Sequence, residues 1–345
     1  MSVNILLIGF GNVGRSLAVL FDSKRTMLKR DFGIELSIVG VGTRSKGAVF
    51  KKEGFDIREL LRSDTFFGRF DSISGDSFDS TSVETLISET EYDIMVETTP
   101  YRLENGDPAT SFIKTALERG KDVVTSNKGP LFYNFWEIME LARSHGARCL
   151  FEGTVMSGTP LFSFAHECLR GCKILGFEGI LNGTSNYILG LMAKGAGFDD
   201  ALFEAKRRGY AEQDASLDIE GWDSAVKASI IAQALMDAPF IPFSDMDISG
   251  IRLIKPKMFD EARRYGGSLK LVATIEMKKG CHAISVRPVV LPPNHPLHSL
   301  SGVTNGALFI TDNIGEVCVT GAGAGASQTA YALFRDIVTI CRREG

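Results

Sequence analysis

Short apolar runs alternate with amphipathic stretches over the first third of the chain. Four runs have the length of buried strands, at residues 5–8, 36–41, 94–97 and 123–125. Between them, apolar residues recur at three- and four-residue spacings, which is typical of helices packed on a core. The helices predicted in this way cover residues 13–21, 83–88, 111–119 and 135–145. Strands that alternate with helices predict βαβ units and a parallel sheet.

The pattern changes near residue 150, where longer alternating strands replace the short runs. Residues 173–181 predict one such strand, and residues 269–277 and 281–291 predict an antiparallel hairpin that turns at Lys279-Gly280. Residues 224–236 form a strongly apolar helix, and a last helix at 327–341 could pack back on the first domain. We therefore expect an α/β chain. Its doubly wound parallel sheet covers residues 1–135 and 318–345, and an α+β domain with a mixed or antiparallel sheet covers 136–317.

Charge and composition argue against several classes of protein. The formal net charge is -4, with acidic and basic residues interspersed, whereas a nucleic-acid-binding surface needs a basic stripe. No run approaches the ~20 apolar residues of a membrane-spanning helix, and the first residues start a strand without the features of a signal peptide. The six Cys and five His show no metal-ligand or redox spacing. We expect a cytoplasmic protein that binds neither nucleic acid nor membrane and uses no catalytic metal.

A glycine-rich turn follows the first predicted strand and opens the first helix. Its residues are Gly9, Phe10, Gly11, Asn12, Val13 and Gly14. The glycines of such a turn allow the backbone to approach a pyrophosphate closely, and the helix N-terminus offers N–H groups to the anion. The order of strand, turn and helix therefore predicts a dinucleotide site on a Rossmann-type sheet.

The end of the second strand bears on the choice of dinucleotide. NAD enzymes usually carry an acid there to hold the ribose hydroxyls, but residues 42–46 contain none. Thr43, Arg44 and Ser45, together with Lys46, are instead donors that suit a 2′-phosphate. The alternative is that Arg44 and Lys46 are ordinary solvated residues of the loop. The missing acid and the added cation both favour NADP over NAD.

Two more strand ends should border the nicotinamide, because ligands bind at the carboxyl ends of the strands in doubly wound sheets. Glu97-Thr98-Thr99-Pro100 follows the third strand, and we assign Thr98 and Thr99 to the cofactor. Lys128 follows the fourth strand. It could meet a substrate oxygen or the cofactor, and a solvated lysine is an equally open alternative.

Residues 209–227 carry the densest set of polar groups. Glu212, Asp214 and Asp218 lie in a stretch with little apolar periodicity, which predicts a loop that holds an ammonium group, a cation or nothing. Asp223 and Lys227 follow on one face of a helix. They are either an exposed ion pair or, because apolar residues follow them, a buried acid–base pair.

Two glycine-containing turns add further candidates. Residues 182–187 have small polar side chains and N–H groups that suit a substrate carboxylate or amine. Residues 152–160 are either a plain helix start or a turn whose carbonyls hold a hard cation.

Along nearly its whole length, the chain resembles the homoserine dehydrogenase family. The segments that carry the resemblance are GFGNVG at 9–14, ETTP at 97–100, SNKG at 126–129, FEGTVMSGTP at 151–160, LNGTSNYI at 181–188, GYAEQDASLDIEGWDSAVK at 209–227 and GVTNGALFITDNIGEVCVTGAGAGASQTAY at 302–331. One departure is Gln213, where many relatives have proline, so the stiffness of this loop is expected to differ.

The resemblance implies roles for individual residues. Lys227 and Asp223 would flank the reacting oxygen, and Lys128 would share the acid–base role. Gly323 and Gly325 would lie against the nicotinamide. The amino-acid end of the substrate would be held by Glu212, Asp218, Thr184, Gly183 and Tyr210. A monovalent cation, usually sodium in the family, would be bound by the backbone of Glu152, Val155, Ser157 and Thr159.

The implied activity is the interconversion of L-homoserine and L-aspartate 4-semialdehyde with NADP(H), in threonine, methionine and isoleucine biosynthesis. The family forms dimers through the sheet of the second domain, so we expect a homodimer, in a short form without a regulatory domain. One alternative is a semialdehyde dehydrogenase that acts through a thioester, for which Cys149 is the candidate nucleophile. Another is an NADP-sensing or scaffold protein, in which residues 209–227 would have no purpose.

Overall fold

The computed structural model describes residues 1–67 and 83–342 of the chain. They form two compact units. The first comprises Met1–Thr154 together with the chain from Ala326 onward, and the second comprises Val155–Gly325. Within the described residues, the longest apolar helix is still too short or too polar to cross a bilayer.

The first unit is built on a six-stranded sheet, which confirms the predicted doubly wound architecture. Its strands are β1 (Ser2–Ile8), β2 (Glu35–Thr43), β3 (Gly47–Phe50), β4 (Ile94–Glu97), β5 (Asp122–Thr125) and β6 (Cys149–Leu150). Their spatial order is β3-β2-β1-β4-β5-β6. All neighbours are parallel except β2 and β3. The order reverses between β1 and β4, which is where such sheets bind ligands.

Helices connect the strands of the first unit. They are α1 (Asn12–Met27), α2 (Ile57–Phe67), α3 (Val83–Glu89), α4 (Ala109–Glu118), α5 (Lys128–Ser144) and the C-terminal helix (Ala326–Cys341), with a π-helical turn at Leu28–Phe32 and a 3-10 turn at Glu152–Thr154. The C-terminal helix does pack on this unit. The rings of Phe334 and Phe21 are 6.4 Å apart, and Leu333 and Ile337 are fully buried in the same core. Each such side chain contributes roughly 1.5–3 kcal/mol by burial.

The second unit has a six-stranded mixed sheet, as expected. Its strands are β7 (Ile174–Ile180), β8 (Asp247–Ile248), β9 (Ser268–Lys278), β10 (Cys281–Leu291), β11 (Thr304–Thr311) and β12 (Gly315–Ala322). The order is β12-β11-β7-β9-β10-β8. Pairing is antiparallel throughout except between β8 and β10.

The helices of the second unit are α6 (Phe162–Cys168), α7 (Gly183–Met192), α8 (Phe198–Arg207), α9 (Ser216–Ile219), α10 (Trp222–Met236) and α11 (Pro256–Arg264), with a 3-10 turn at Phe243–Asp245. Helix α10 is buried on nearly all sides from Asp223 to Gln233. The helix contacts β7, β9 and β10 as well as α6 and α9, so its polar residues, among them Asp223 and Lys227, are buried together with its apolar ones.

The boundaries between the two units lie later in the chain than the sequence pattern predicts. The predicted boundaries lie at residues 135 and 318, whereas the structure divides after Thr154 and before Ala326. The first difference arises because α5 lies between β5 and β6 of the first sheet. The second arises because β12 pairs with β11 along its whole length.

Candidate functional site

In the glycine-rich turn after β1, the backbone lies close to the backbone of Thr98 and to the start of α1. Gly9 has φ +95°, and a Cβ atom there would lie 2.7 Å from the backbone of Thr98. At Gly14, a Cβ atom would lie 2.6 Å from the carbonyl oxygen of Gly9. At Gly11, by contrast, a Cβ atom would meet no described atom within 4 Å. Two of the glycines are therefore required by packing, and the third leaves open space that suits a bound group.

Helix α1 points its N-terminus at this open space. The first helical hydrogen bond runs from the N–H of Arg15 to the carbonyl of Gly11, 2.9 Å away, and the buried ring of Phe10 anchors the turn. The N–H groups of a first turn have no partner within their own helix and bind anions readily. A cavity of about 520 Å³ lies along α1 from Asn12 to Leu20, where Leu61 of α2 and the start of the C-terminal helix complete its lining, and none of the glycines of the turn lines it.

The predicted loop after the second strand is a tight hairpin. Strand β2 continues to Thr43 and turns directly into β3, so Thr43 pairs with Gly47. The Thr43 hydroxyl accepts a hydrogen bond from the N–H of Lys46 over 2.9 Å, so this hydroxyl stabilises the turn itself. Arg44 and Ser45 are exposed at its tip. Because Gly42 pairs with Ile8 of β1, the hairpin lies at the same sheet edge as the glycine-rich turn.

A buried polar network joins the carboxyl ends of β4 and β5. The Glu97 carboxyl group is fully buried, and burial raises the pKa of Glu97. It accepts hydrogen bonds from the N–H of Thr99 over 2.8 Å and from the hydroxyl of Thr125 over 2.9 Å, as well as from the hydroxyl of Thr99. The Thr98 hydroxyl donates to the carbonyl of Gly9 over 2.9 Å. Thr98 therefore ties the end of β4 to the glycine-rich turn.

Lys128 is the first residue of α5. The Asn127 side chain caps this helix by accepting a hydrogen bond from the N–H of Gly129. The Lys128 ammonium group lies 4.8 Å from the centre of the Tyr101 ring, a cation–π contact. Lys128 is half-buried rather than fully solvated.

In the second unit, Lys227 and Asp223 form the buried pair rather than the exposed one. The Lys227 ammonium group lies 2.7 Å from the Asp223 carboxylate, and each side chain is only 10% exposed. Lys227 also donates to the carbonyl of Leu181, at the end of β7, over 2.7 Å. An exposed pair contributes little and its side chains move freely. This buried pair holds the ammonium group in one place.

Asn182 organises the acidic groups around this pair. The sequence places it in the candidate turn at residues 182–187 but does not predict its contacts with Asp218 and Asp223. Its amide NH₂ donates to Asp218 over 2.6 Å and to Asp223 over 2.9 Å. Its amide oxygen accepts from the N–H of Ser185 and so caps α7. A polar residue before a helix does signal a cap, but the two carboxylates it reaches lie 36 and 41 residues away along the chain.

The predicted substrate residues lie around the first turn of α7, with one exception. The Thr184 hydroxyl donates to the carbonyl of Tyr210 over 2.6 Å, and a Cβ atom at Gly183 would lie 2.8 Å from the Val303 carbonyl. Glu212 is exposed on the segment between α8 and α9. Residues 209–218 are predicted to form a loop, but in the structure the last three of them belong to the one-turn helix α9.

The residues predicted to bind a cation are divided between the units. Glu152 belongs to the first unit, where its carboxylate lies 2.5 Å from the Arg335 guanidinium. Val155, Ser157 and Thr159 belong to the second. There Ser157 adopts φ +52°, and the Thr159 hydroxyl donates to the carbonyl of Ala322 over 3.0 Å.

The late glycine-rich turn is shaped by close packing. A Cβ atom at Gly323 would lie 1.8 Å from the side-chain oxygen of Asn305, so the side chain of Asn305 fills this space. Gly325 has φ +136°, a conformation that favours glycine.

Comparison with known proteins covers both units. A family model described as homoserine dehydrogenase, NAD binding domain, matches residues 9–152. A second, described as homoserine dehydrogenase, matches residues 160–338.

Individual relatives match nearly end to end. An NAD(+)-dependent homoserine dehydrogenase of Pseudomonas canavaninivorans is 40% identical, over 97% of this chain and 95% of the relative. A homoserine dehydrogenase of Methanocaldococcus jannaschii is 37% identical, over 98% of each. Among solved structures, a hyperthermophilic archaeal homoserine dehydrogenase in complex with NADPH has a TM-score of 0.82 at 34% identity, covering 98% of this chain and 97% of the other.

Proposed function

Because this chain belongs to the homoserine dehydrogenase family, we propose that it interconverts L-homoserine and L-aspartate 4-semialdehyde with NADP(H), on the route to threonine, methionine and isoleucine. Membership makes it an oxidoreductase with a nicotinamide cofactor. The observation that carries the finer proposal is the buried pair of Lys227 and Asp223 beside Asn182. Oxidation of an alcohol requires a group that removes the hydroxyl proton, and a buried lysine next to a carboxylate suits that role.

Lys227 moves the proton in this proposal. An ammonium group has three donors, and two of them bond to Asp223 and Leu181 in the described structure. The third can reach a substrate oxygen. During reduction Lys227 gives a proton to the aldehyde oxygen, and during oxidation the neutral amine removes the hydroxyl proton. Asp223 fixes the position of the Lys227 side chain through their 2.7 Å contact.

The cofactor belongs to the first unit in this proposal. When bound, the nicotinamide supplies or accepts the hydride. Gly11 and the N–H groups of α1 hold the pyrophosphate, and Arg44 and Ser45 hold a 2′-phosphate. Thr98 and Thr99 border the nicotinamide. Lys128 shares the acid–base role with Lys227.

The substrate belongs to the second unit in this proposal. The carboxylates of Glu212 and Asp218 bind its ammonium group, and Thr184, with Gly183 and Tyr210, binds around the same end. Gly323 and Gly325 approach the nicotinamide.

A monovalent cation, typically sodium, is held by backbone oxygens at Glu152, Val155, Ser157 and Thr159 in this proposal. The left-handed conformations of Met156 and Ser157 support it, because backbone strain of this kind is concentrated at ligand sites, and backbone carbonyls are ligands of hard cations. The proposal includes a homodimer and a cytoplasmic location.

The thioester alternative is disfavoured by the state of its candidate nucleophile. Cys149 is buried in β6, and burial raises the pKa of its thiol to about 12. A thioester mechanism needs a thiolate near neutral pH. Cys149 therefore does not have the properties of such a nucleophile.

The proposal is tested with Lys227→Ala, assayed in both directions with homoserine and with aspartate semialdehyde. We expect kcat to fall by roughly 10²–10⁴-fold, the usual contribution of an acid–base group, while the Kd for NADPH stays within about threefold. The matched control is Lys257→Ala. Lys257 pairs with Glu261 four residues away, but its side chain is 83% exposed. Unchanged turnover in Lys227→Ala would remove Lys227 from the mechanism, and no turnover by the wild-type protein would refute the proposed function.

A further inference from the structure

Glu97 is a buried acid to which the proposed mechanism gives no role. It is 0% exposed at the carboxyl end of β4. Its hydrogen-bond donors are the N–H and the hydroxyl of Thr99, the hydroxyl of Thr125 and the side chain of Asn127. None of these donors is a cation. Burying an ionisable group among neutral partners is costly unless its hydrogen bonds are well made, so Glu97 requires all of these donors to be held in place around it.

Asn127 closes the network around Glu97. Its side-chain NH₂ donates to the carbonyl of Thr99 over 3.2 Å, and its N–H donates to the hydroxyl of Thr125 over 3.0 Å. Thr99, Thr125 and Asn127 are thereby bonded to one another or to Glu97. Side chains thus fix the segment after β4 relative to the segment after β5, in addition to the backbone hydrogen bonds between the two strands.

Both fixed segments carry residues assigned to the cofactor. Thr98, between Glu97 and Thr99, donates to the carbonyl of Gly9 in the glycine-rich turn. Lys128 follows Asn127 directly and begins α5. A shift of one segment relative to the other would therefore move Thr98 and Lys128 apart.

We infer that Glu97 is a positioning residue for the reaction, which acts through Thr99, Thr125 and Asn127 to hold Thr98 and Lys128 in register at the nicotinamide end of the cofactor site. This inference rests on the proposed function. Glu97 touches neither substrate nor cofactor. Its effect is on geometry, and a displacement of about 1 Å at a reacting centre costs on the order of 100-fold in rate.

The first test is Glu97→Gln, which keeps the size of the side chain. The amide oxygen can still accept from Thr99, but the new NH₂ replaces the oxygen that accepts from the Thr125 hydroxyl, so this hydroxyl loses its acceptor. We expect kcat with homoserine and NADP⁺ to fall roughly 10- to 100-fold, with the Kd for NADPH within about threefold. We also expect the primary isotope effect with homoserine deuterated at C4, the carbon that gives up the hydride in this direction, to increase, because hydride transfer becomes slower than product release.

A second variant reaches the same network from its other side. Thr125→Val keeps the shape of the side chain and removes the hydroxyl that bonds to Glu97 and Asn127. We expect the same split between kcat and NADPH binding, and the same change in isotope effect. The matched control is Asp93→Asn. Asp93 precedes β4 at the opposite edge of the sheet, where it accepts from the N–H of Asn4 over 2.7 Å, and we expect its kinetics to match the wild type.

The outcomes separate the two hypotheses. Wild-type kcat and isotope effect in both variants would overturn the positioning role. A second result would also overturn it: the rate falls in proportion to the stoichiometry of NADPH binding, and the isotope effect is unaltered. That result indicates only that part of the protein is misfolded. Failure of the wild-type protein to oxidise homoserine, with NADPH still bound, would instead refute the proposed function.

Discussion

Arg44 is the side chain on which the proposed preference for NADP depends most directly. Its guanidinium is exposed at the tip of the β2–β3 hairpin, two residues beyond the Gly42 that pairs with Ile8. The family includes a relative named as NAD(+)-dependent at 40% identity and a structure in complex with NADPH at 34%. Overall similarity therefore does not decide between the cofactors. A cation without a neighbouring acid favours the phosphorylated one.

The role of Arg44 is tested with Arg44→Ala. Charge-assisted hydrogen bonds to a phosphate contribute about 1.5–3 kcal/mol, so we expect kcat/KM for NADP⁺ to fall roughly 10- to 100-fold while kcat/KM for NAD⁺ changes little. Initial rates with homoserine and each cofactor measure both values. Arg25→Ala, an exposed arginine in the last turn of α1, is the control and should keep the wild-type ratio. An unchanged ratio in Arg44→Ala would show that this side chain does not select the cofactor.

For single residues, the sequence predicts which side chains belong to the candidate site more reliably than it predicts their contacts. The four-residue spacing of Asp223 and Lys227 places them on one helix face, and the apolar residues that follow indicate burial. Asn182 could not be chosen in this way, because its two carboxylate partners come from α9 and α10. Glu97 was passed over for the same reason. Its partners lie on the chain after two different strands, and only the folded sheet brings them together.

Among the structural elements, the glycine-rich turn and α1 are the clearest case of a motif whose residues have separate physical tasks. Gly14 allows α1 to pack closely on the turn, since a Cβ atom would lie 2.6 Å from the carbonyl oxygen of Gly9. Gly11 has no such neighbour within 4 Å. Gly14 is therefore required by the fold. Gly11 is required by the group that is proposed to bind in front of it.

This difference predicts that two alanine substitutions act on different properties, one on the stability of the protein and the other on the binding of NADPH. Gly14→Ala should lower the Tm of the cofactor-free protein, because overpacking typically costs about 1–3 kcal/mol. Gly11→Ala should leave that Tm nearly unchanged and raise the Kd for NADPH by about tenfold or more, since the methyl group occupies the space for the pyrophosphate. Thermal melts without and with NADPH, together with a binding titration, measure both effects. Equal loss of Tm in the two variants would contradict the assignment.

The elements that the sequence predicts best are long and strongly periodic. Strand β10 has the predicted bounds, and α10 begins two residues before its predicted start. Strands β11 and β12 were not predicted, because the glycines between residues 302 and 325 are typical of turns. In the structure Gly306 lies inside β11, where a Cβ atom would come within 2.4 Å of the Leu300 side chain. Such glycines serve close packing, which depends on distant residues and leaves no local pattern.

Across the whole molecule, the C-terminal helix completes the first unit with a buried charge cluster. Asp336 of this helix accepts a hydrogen bond from the N–H of Glu152 over 2.9 Å. Burial, and the proximity of Glu152, raise the pKa of Asp336 to about 7. The folded protein therefore holds a proton on Asp336 between about pH 4 and 7, where an unfolded aspartate has lost it.

The raised pKa of Asp336 predicts that the free energy of unfolding decreases as the pH rises. A group that binds its proton more tightly when folded stabilises the protein below its unfolded pKa, and this stability is lost as the pH rises through the folded pKa. Relative to Asp336→Asn, the wild-type protein should lose roughly 2–4 kcal/mol between pH 4 and 8. Thermal melts of both proteins across this range measure the difference, and other titrating groups cancel in it. A Tm difference that stays constant with pH would contradict the prediction.

The return of the last helix to the first unit also sets an order of assembly during synthesis. The second unit is one continuous stretch, so all of its strands have been translated before Ala326 is made. The first unit begins the chain, yet its core lacks Leu333, Phe334 and Ile337 until the final helix emerges. The sheet that is translated first is consequently the one that matures last, and until then a nascent chain exposes the apolar face of α1 to chaperones and proteases.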